Sequence, residues 1–256
     1  MKYGKTVLTI VGVLTMLAVF TSQANAEIID GFPGLGLKIN EHAVANGGGP
    51  PDWINPPGQQ IAATRFQYGH HYQSGGLDVV AEFIVDPDPY VNAVFTITNL
   101  TGADKDFTFS TILPIFPQIL NGSLCGGSVS FNLLDMNANG ATLKSINATT
   151  PIYMSTIDGV PFKALMEGPQ SHSTPSNNGT LGYGPEEFGP TPGTPLLPGP
   201  NVLNTIGIEL NATLSAGDVA VIIATFAVVE TPEPATMALL ALGGMTILAR
   251  RRRHKA

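Results

Sequence analysis

The chain of 256 residues has a single cysteine, Cys125, in Leu124-Cys125-Gly126-Gly127. An intramolecular disulfide is therefore excluded, and any folded core must rest on apolar burial alone. Tryptophan is equally scarce, with Trp53 its one instance. Only 12% of residues are charged, and positive charge is nearly absent from the middle. Between the two ends the basic residues are Lys38, Arg65, Lys105, Lys144 and Lys163, while all 19 acids lie from Glu27 to Glu233, which gives 5 − 19 = −14. Such a surface repels phosphate backbones and disfavours nucleic acid as a partner. Also missing are a Gly-x-Ser-x-Gly elbow, a phosphate loop, a His-Glu-x-x-His pair and a dinucleotide fingerprint. The middle offers no amphipathic helix of useful length.

What the sequence does have stands first at its two ends. Lys2 and Lys5 precede fifteen uncharged residues, Thr6–Phe20. Ala24-Asn25-Ala26 then fits the small-x-small rule, with Ala24 and Ala26 as its small residues. A basic start, an apolar core of this length and such a site predict a secretory signal peptide over residues 1–26. Cleavage by signal peptidase would leave Glu27 first. At the other end, Ala235–Ala249 is again fifteen uncharged residues, followed by Arg250, Arg251, Arg252, Arg253 and Lys255. A run this short spans a bilayer only with snorkelling or local thinning. The arginines would stay on the cytoplasmic side of the inner membrane, and the body would lie outside.

Pro232-Glu233-Pro234, the apolar run with Gly243-Gly244, and the arginine cluster together resemble the PEP-CTERM sorting signal of Gram-negative bacteria. The resemblance covers residues 231–256. It implies processing near Pro232, Glu233 and Pro234 by the membrane protease-transpeptidase exosortase. It further implies a membrane-anchored precursor that ends at the cell surface or in the extracellular matrix, in a setting of exopolysaccharide and biofilm. The body is also similar to uncharacterised members of that family through Val129–Leu165 and the Ser215-Ala216-Gly217-Asp218 turn, which implies no activity.

The body, residues 27–230, reads as all-β. Alternation of β-branched and aromatic residues predicts about ten strands: 61–68, 77–85, 92–99, 106–113, 127–135, 141–146, 151–157, 160–166, 204–214 and 218–230. Asp158-Gly159 predicts a type I′ hairpin, and breaks at 86–89 and 99–102 point to further short connections. Short connections without crossover helices favour an antiparallel β-sandwich. The stretches 46–58 and 168–200 read as long loops, since 15 of the 33 residues in the second are Gly or Pro. Trp53 in the first, and Tyr183 and Phe188 in the second, read either as plugs over the open ends of the sandwich or as an aromatic platform for sugars.

Asp135-Met136-Asn137-Ala138-Asn139-Gly140 resembles the front half of an EF-hand loop, so Asp135, Asn137 and Asn139 are candidate calcium ligands. The bidentate Glu of that loop is replaced by Ile146, which favours a turn held by Asx hydrogen bonds over a metal site. His70 and His71 are strand neighbours and point to opposite faces, which disfavours a shared metal. Cys125 reads as a small buried hydrophobe. The leading functional expectation is an exported, exosortase-sorted envelope or matrix protein with a structural or interaction role, not an enzyme, and without a resident cofactor. A carbohydrate-binding module using the loop aromatics is the alternative. A secreted hydrolase comes third, because glycosidase carboxylates carry no local signature.

Overall fold

A computed structural model describes residues 34–39, 56–86, 89–189 and 197–231. The expected signal peptide, the sorting tail beyond Thr231 and Trp53 lie outside the described residues. Within the described residues all regular structure is β, and no helix is long and apolar enough to cross a membrane.

The strands are β1 (Gly36–Ile39), β2 (Gly58–Gln60), β3 (Phe66–Ser74), β4 (Leu77–Asp86), β5 (Tyr90–Asn99), β6 (Lys105–Pro114), β7 (Ser123–Leu134) and β8 (Thr142–Lys144). They continue with β9 (Tyr153–Ile157), β10 (Val160–Leu165), β11 (Ser171–Ser173), β12 (Thr180–Phe188), β13 (Leu197–Gly199), β14 (Thr205–Leu214) and β15 (Val219–Glu230). One sheet runs β1-β6-β14, with β9 and β8 end to end along the far side of β14, and β10 and β11 beyond them. The other runs β12-β7-β15-β5-β4-β3-β2, with β13 beside β12 along β7. Every pairing is antiparallel.

The alternation read from the sequence explains why the sheets stack. Val79, Ala81, Phe83 and Val85 on β4 are fully buried, as are Val91, Ala93, Phe95 and Ile97 on β5. Phe95 from one sheet stacks on Phe109 from the other at 4.8 Å, flanked by Phe83 and Phe107. Each such ring contributes about 1.5–3 kcal/mol by leaving water. Tyr153 closes the gap elsewhere, its buried hydroxyl donating across the layers to the Thr225 carbonyl at 2.8 Å. The two sheets thus pack face to face, as in a sandwich.

Several sequence expectations need correction. The Gly/Pro-rich stretch 168–200 is not one long loop: β11, β12 and β13 lie in it, and β12 pairs with β7 from Thr180 to Phe188. Its Gly184-Pro185 pair falls where the register shifts between Tyr183 and Glu186, so a bulge absorbs the residues that argued against a strand. The strand expected at 61–68 is β3 at Phe66–Ser74, because Ile61–Arg65 closes a turn through mutual backbone hydrogen bonds. The break at 99–102 joins strands of different sheets and is a corner, not a hairpin. Asn99 builds that corner: its Nδ2 donates to the carbonyls of Ala103, Leu214 and Ser215, and its Oδ1 accepts from Thr101. The Asp158-Gly159 hairpin has the expected geometry, with φ of 52° and 76°.

The connections sort into two ends. The Asn99 corner, the Asp135 loop and the Ser215–Asp218 turn lie at one end. The loop 115–122, the Asp158 hairpin and residues 200–204 lie at the other. Gly34-Leu35 enters at this second end, beside Leu113–Pro114, and Thr231 leaves from it.

Candidate functional site

Chain exit is the feature the fold defines most sharply. β15 is an interior strand of its sheet, paired to β5 as far as Ala227 and to β7 as far as Glu230 against Ser123. The last bond is Thr231 N–H to the Gly122 carbonyl at 3.2 Å. Asn121 Nδ2 donates to Glu230 Oε1 at 3.4 Å, and Gly122 N–H donates to Asn201 Oδ1 at 2.8 Å. The sheet therefore holds the chain through Thr231, the last described residue, and the ring of Pro232 offers no N–H to extend the ladder.

That observation gives the tail its context. The chain carries a PEP-CTERM protein-sorting motif. Residues 230–253 match the family model of that description. The motif implies an exported protein that exosortase sorts and processes. Its first residue, Glu230, is the last of β15, so body and motif abut without a linker. The candidate sorting residues Pro232, Glu233, Pro234, Arg250, Arg251, Arg252 and Arg253, and the cleavage residues Ala24 and Ala26, lie outside the described residues. Comparison with curated proteins gives no match.

The aromatic candidates divide. Phe188 is buried, and its ring lies among Tyr153, Phe162 and Phe226 at 6.1–6.4 Å. It is a plug and offers no face to a sugar, which corrects the glycan-contact expectation at this position. Gly127 makes room for it: a Cβ there would lie 2.6 Å from Phe188 and 2.8 Å from the Tyr153 hydroxyl. Tyr183 is half-buried, stacked on Phe131 at 5.3 Å and beside His172 at 4.1 Å. Burial lowers the His172 pKa, partly offset by Glu186.

The Asp135 loop is a hydrogen-bonded hub. Asp135 Oδ1 accepts from Asn137 N–H, and Oδ2 accepts from Asn177 and Asn178 N–H at 3.1 and 2.9 Å. Burial works against ionisation here, but the N–H groups of Asn177, Gly140, Asn178 and Asn137 prevail and hold the carboxyl below its ordinary pKa. Asn137 reaches the Ala216 carbonyl through Nδ2 and receives Asn139 N–H on Oδ1. Four N–H donors converge on Asp135, the arrangement of an Asx-held turn.

The remaining chemistry-bearing residues disperse. His70 shares the inward face of β3 with Tyr68 and Tyr72; burial, then His71, lowers its pKa. His71 faces outward and meets Asp78 at 2.6 Å. Cys125 is buried beside Ser123, and burial raises its thiol pKa. Among the described residues no three His, Cys, Asp or Glu gather in metal-binding geometry.

The Asp158 carboxylate escaped the sequence reading. Beyond shaping its turn, it accepts N–H bonds from Leu203, Asn204 and Thr205 at 2.7–2.9 Å. Only the Asp-Gly pair was a signal, and it pointed to the turn rather than to the segment the side chain captures.

Proposed function

We propose that this chain is a structural or interaction protein of the bacterial envelope or extracellular matrix, delivered there as a tethered precursor. The signal peptide is removed after Ala26. The acidic body folds outside the inner membrane while Ala235–Ala249 anchors it and Arg250–Arg253 stay inside. Exosortase then processes the tail near Pro232–Pro234, in a setting of exopolysaccharide and biofilm. One observation supports this reading: the last sheet hydrogen bond among the described residues, at Thr231, directly precedes Pro232-Glu233-Pro234 of the motif. Cleavage there removes the address and leaves all fifteen described strands intact. The body enters the reading as a non-catalytic module, a reading supported by the turn-holding roles of Asp135 and Asp158 and the burial of Cys125.

The test is intact mass and fractionation of the native protein. The expected species begins at Glu27, ends between Pro232 and Pro234, and lies outside the inner membrane. A species that still carries Arg250–Arg253 in the inner membrane would replace the matrix role with that of a permanently anchored protein. Glycan-array binding that is lost on Trp53→Ala would favour the carbohydrate-binding alternative.

A further inference from the structure

The large exposed apolar side chains are unevenly placed. Phe116 is 80% exposed, Val160 65%, Leu120 56% and Leu203 44%. All four lie at the end where the chain exits. Ile119 bridges to Val202 and Gln118 Nε2 donates to the Leu203 carbonyl, so the loops 115–121 and 202–204 lie against each other. Asp158 ties the Val160 hairpin to the same segment through Leu203 N–H. Asn121-Gly122, next to Leu120, holds Glu230-Thr231. The four side chains therefore form a rim beside the exit strand. Among the described residues the far end shows only Leu100 and Met136 as comparably exposed.

Chain length decides what can cover this rim. Between Thr231 and Ala235 lie only Pro232, Glu233 and Pro234. Four extended steps of ~3.3–3.6 Å reach at most about 14 Å. An uncharged stretch that inserts from Ala235 onward would hold this end of the body within that distance of the bilayer. Singly exposed apolar residues need no explanation, but a ring and three aliphatic side chains gathered at a tether do.

We propose that this rim of Phe116, Leu120, Val160 and Leu203 rests in the lipid interface while the precursor is anchored, and so sets the body upright over the membrane. This rests on the anchored-precursor reading above. The contact is apolar, because the body, with 5 basic and 18 acidic residues over 27–230 (5 − 18 = −13), is repelled by anionic lipid. It ends when the tail is cut, since four side chains without a tether add only a modest membrane affinity.

The test reconstitutes the full chain into vesicles of phosphatidylethanolamine and phosphatidylglycerol doped with brominated phosphatidylcholine. Phe116→Trp reports at the rim, Leu100→Trp reports at the far end, and the parent chain is the blank for Trp53. With the rim about 5–10 Å into the headgroup boundary, the Phe116→Trp indole should lose about half its emission, and Leu100→Trp almost none. Leu120→Trp repeats the measurement should Phe116→Trp misfold. Equal emission at the two ends of a chain that floats with the vesicles overturns the proposal and leaves the anchor reading intact. A chain that does not float overturns both. Protection that appears only on adding exosortase, or on crowding the chain, assigns the rim to the enzyme or to a second copy instead.

Discussion

Asp158 combines a strained backbone with a satisfied carboxylate. Its φ of 52° is tolerated by Asp better than by most side chains, and three backbone N–H groups of 203–205 converge on its oxygens. Asp158→Ala should lower stability by about 2 kcal/mol, read from urea unfolding, because it strands those donors at a left-handed position. Burial raises its pKa, but the N–H groups of Leu203, Thr205 and Asn204 outweigh burial and hold it below the ordinary value. The folded carboxyl thus binds fewer protons than the unfolded one, so its contribution is complete above about pH 4 and is lost as pH falls through the depressed value. The lowered values at His70 and His172 act in the same direction, beginning below about pH 6.5. Half-buried Glu209, whose pKa is raised by that burial, acts oppositely. Melting temperature should therefore fall on acidification, and Asp158→Asn should flatten the part of that fall below about pH 4. No change in slope would remove Asp158 from the account.

Among the elements, the strands whose alternation is uninterrupted were legible: β4, β5, β6, β14 and β15 fall within about two residues of the pattern. β12 was not, because Gly182, Gly184 and Pro185 weaken any local signal and only pairing with β7 makes it a strand. The corners were illegible for a related reason. Asn99-Leu100-Thr101-Gly102 has the composition of a hairpin, while what makes it a corner is Asn99 reaching carbonyls more than a hundred residues away. The same limit hid the rim, since nothing near Phe116 in sequence announces Leu203 or Thr231. Layer packing adds a test at this scale. Tyr153→Phe keeps the ring among Phe188 and Gly127 but removes the donor to Thr225, and should cost about 1 kcal/mol with an unchanged urea m-value. A neutral result would make the ring alone responsible for the contact.

For the whole molecule, the strand that continues into the sorting tail is also the strand held on both sides. β15 is laddered to β7 along its full length and to β5 as far as Ala227, whereas β1, the first described strand, has β6 as its one partner among the described residues. Tension drawn through the C-terminus runs along β15 and must shear two ladders at once. Tension drawn through the N-terminus meets the single short ladder of β1. Force spectroscopy on the matured body, fixed by its outer faces, should therefore record higher rupture forces through the C-terminal handle. A protein joined to its surroundings at that point would be moored by the better held of its two handles, a fit to the proposed matrix setting, where flow and stretching rather than heat set the load.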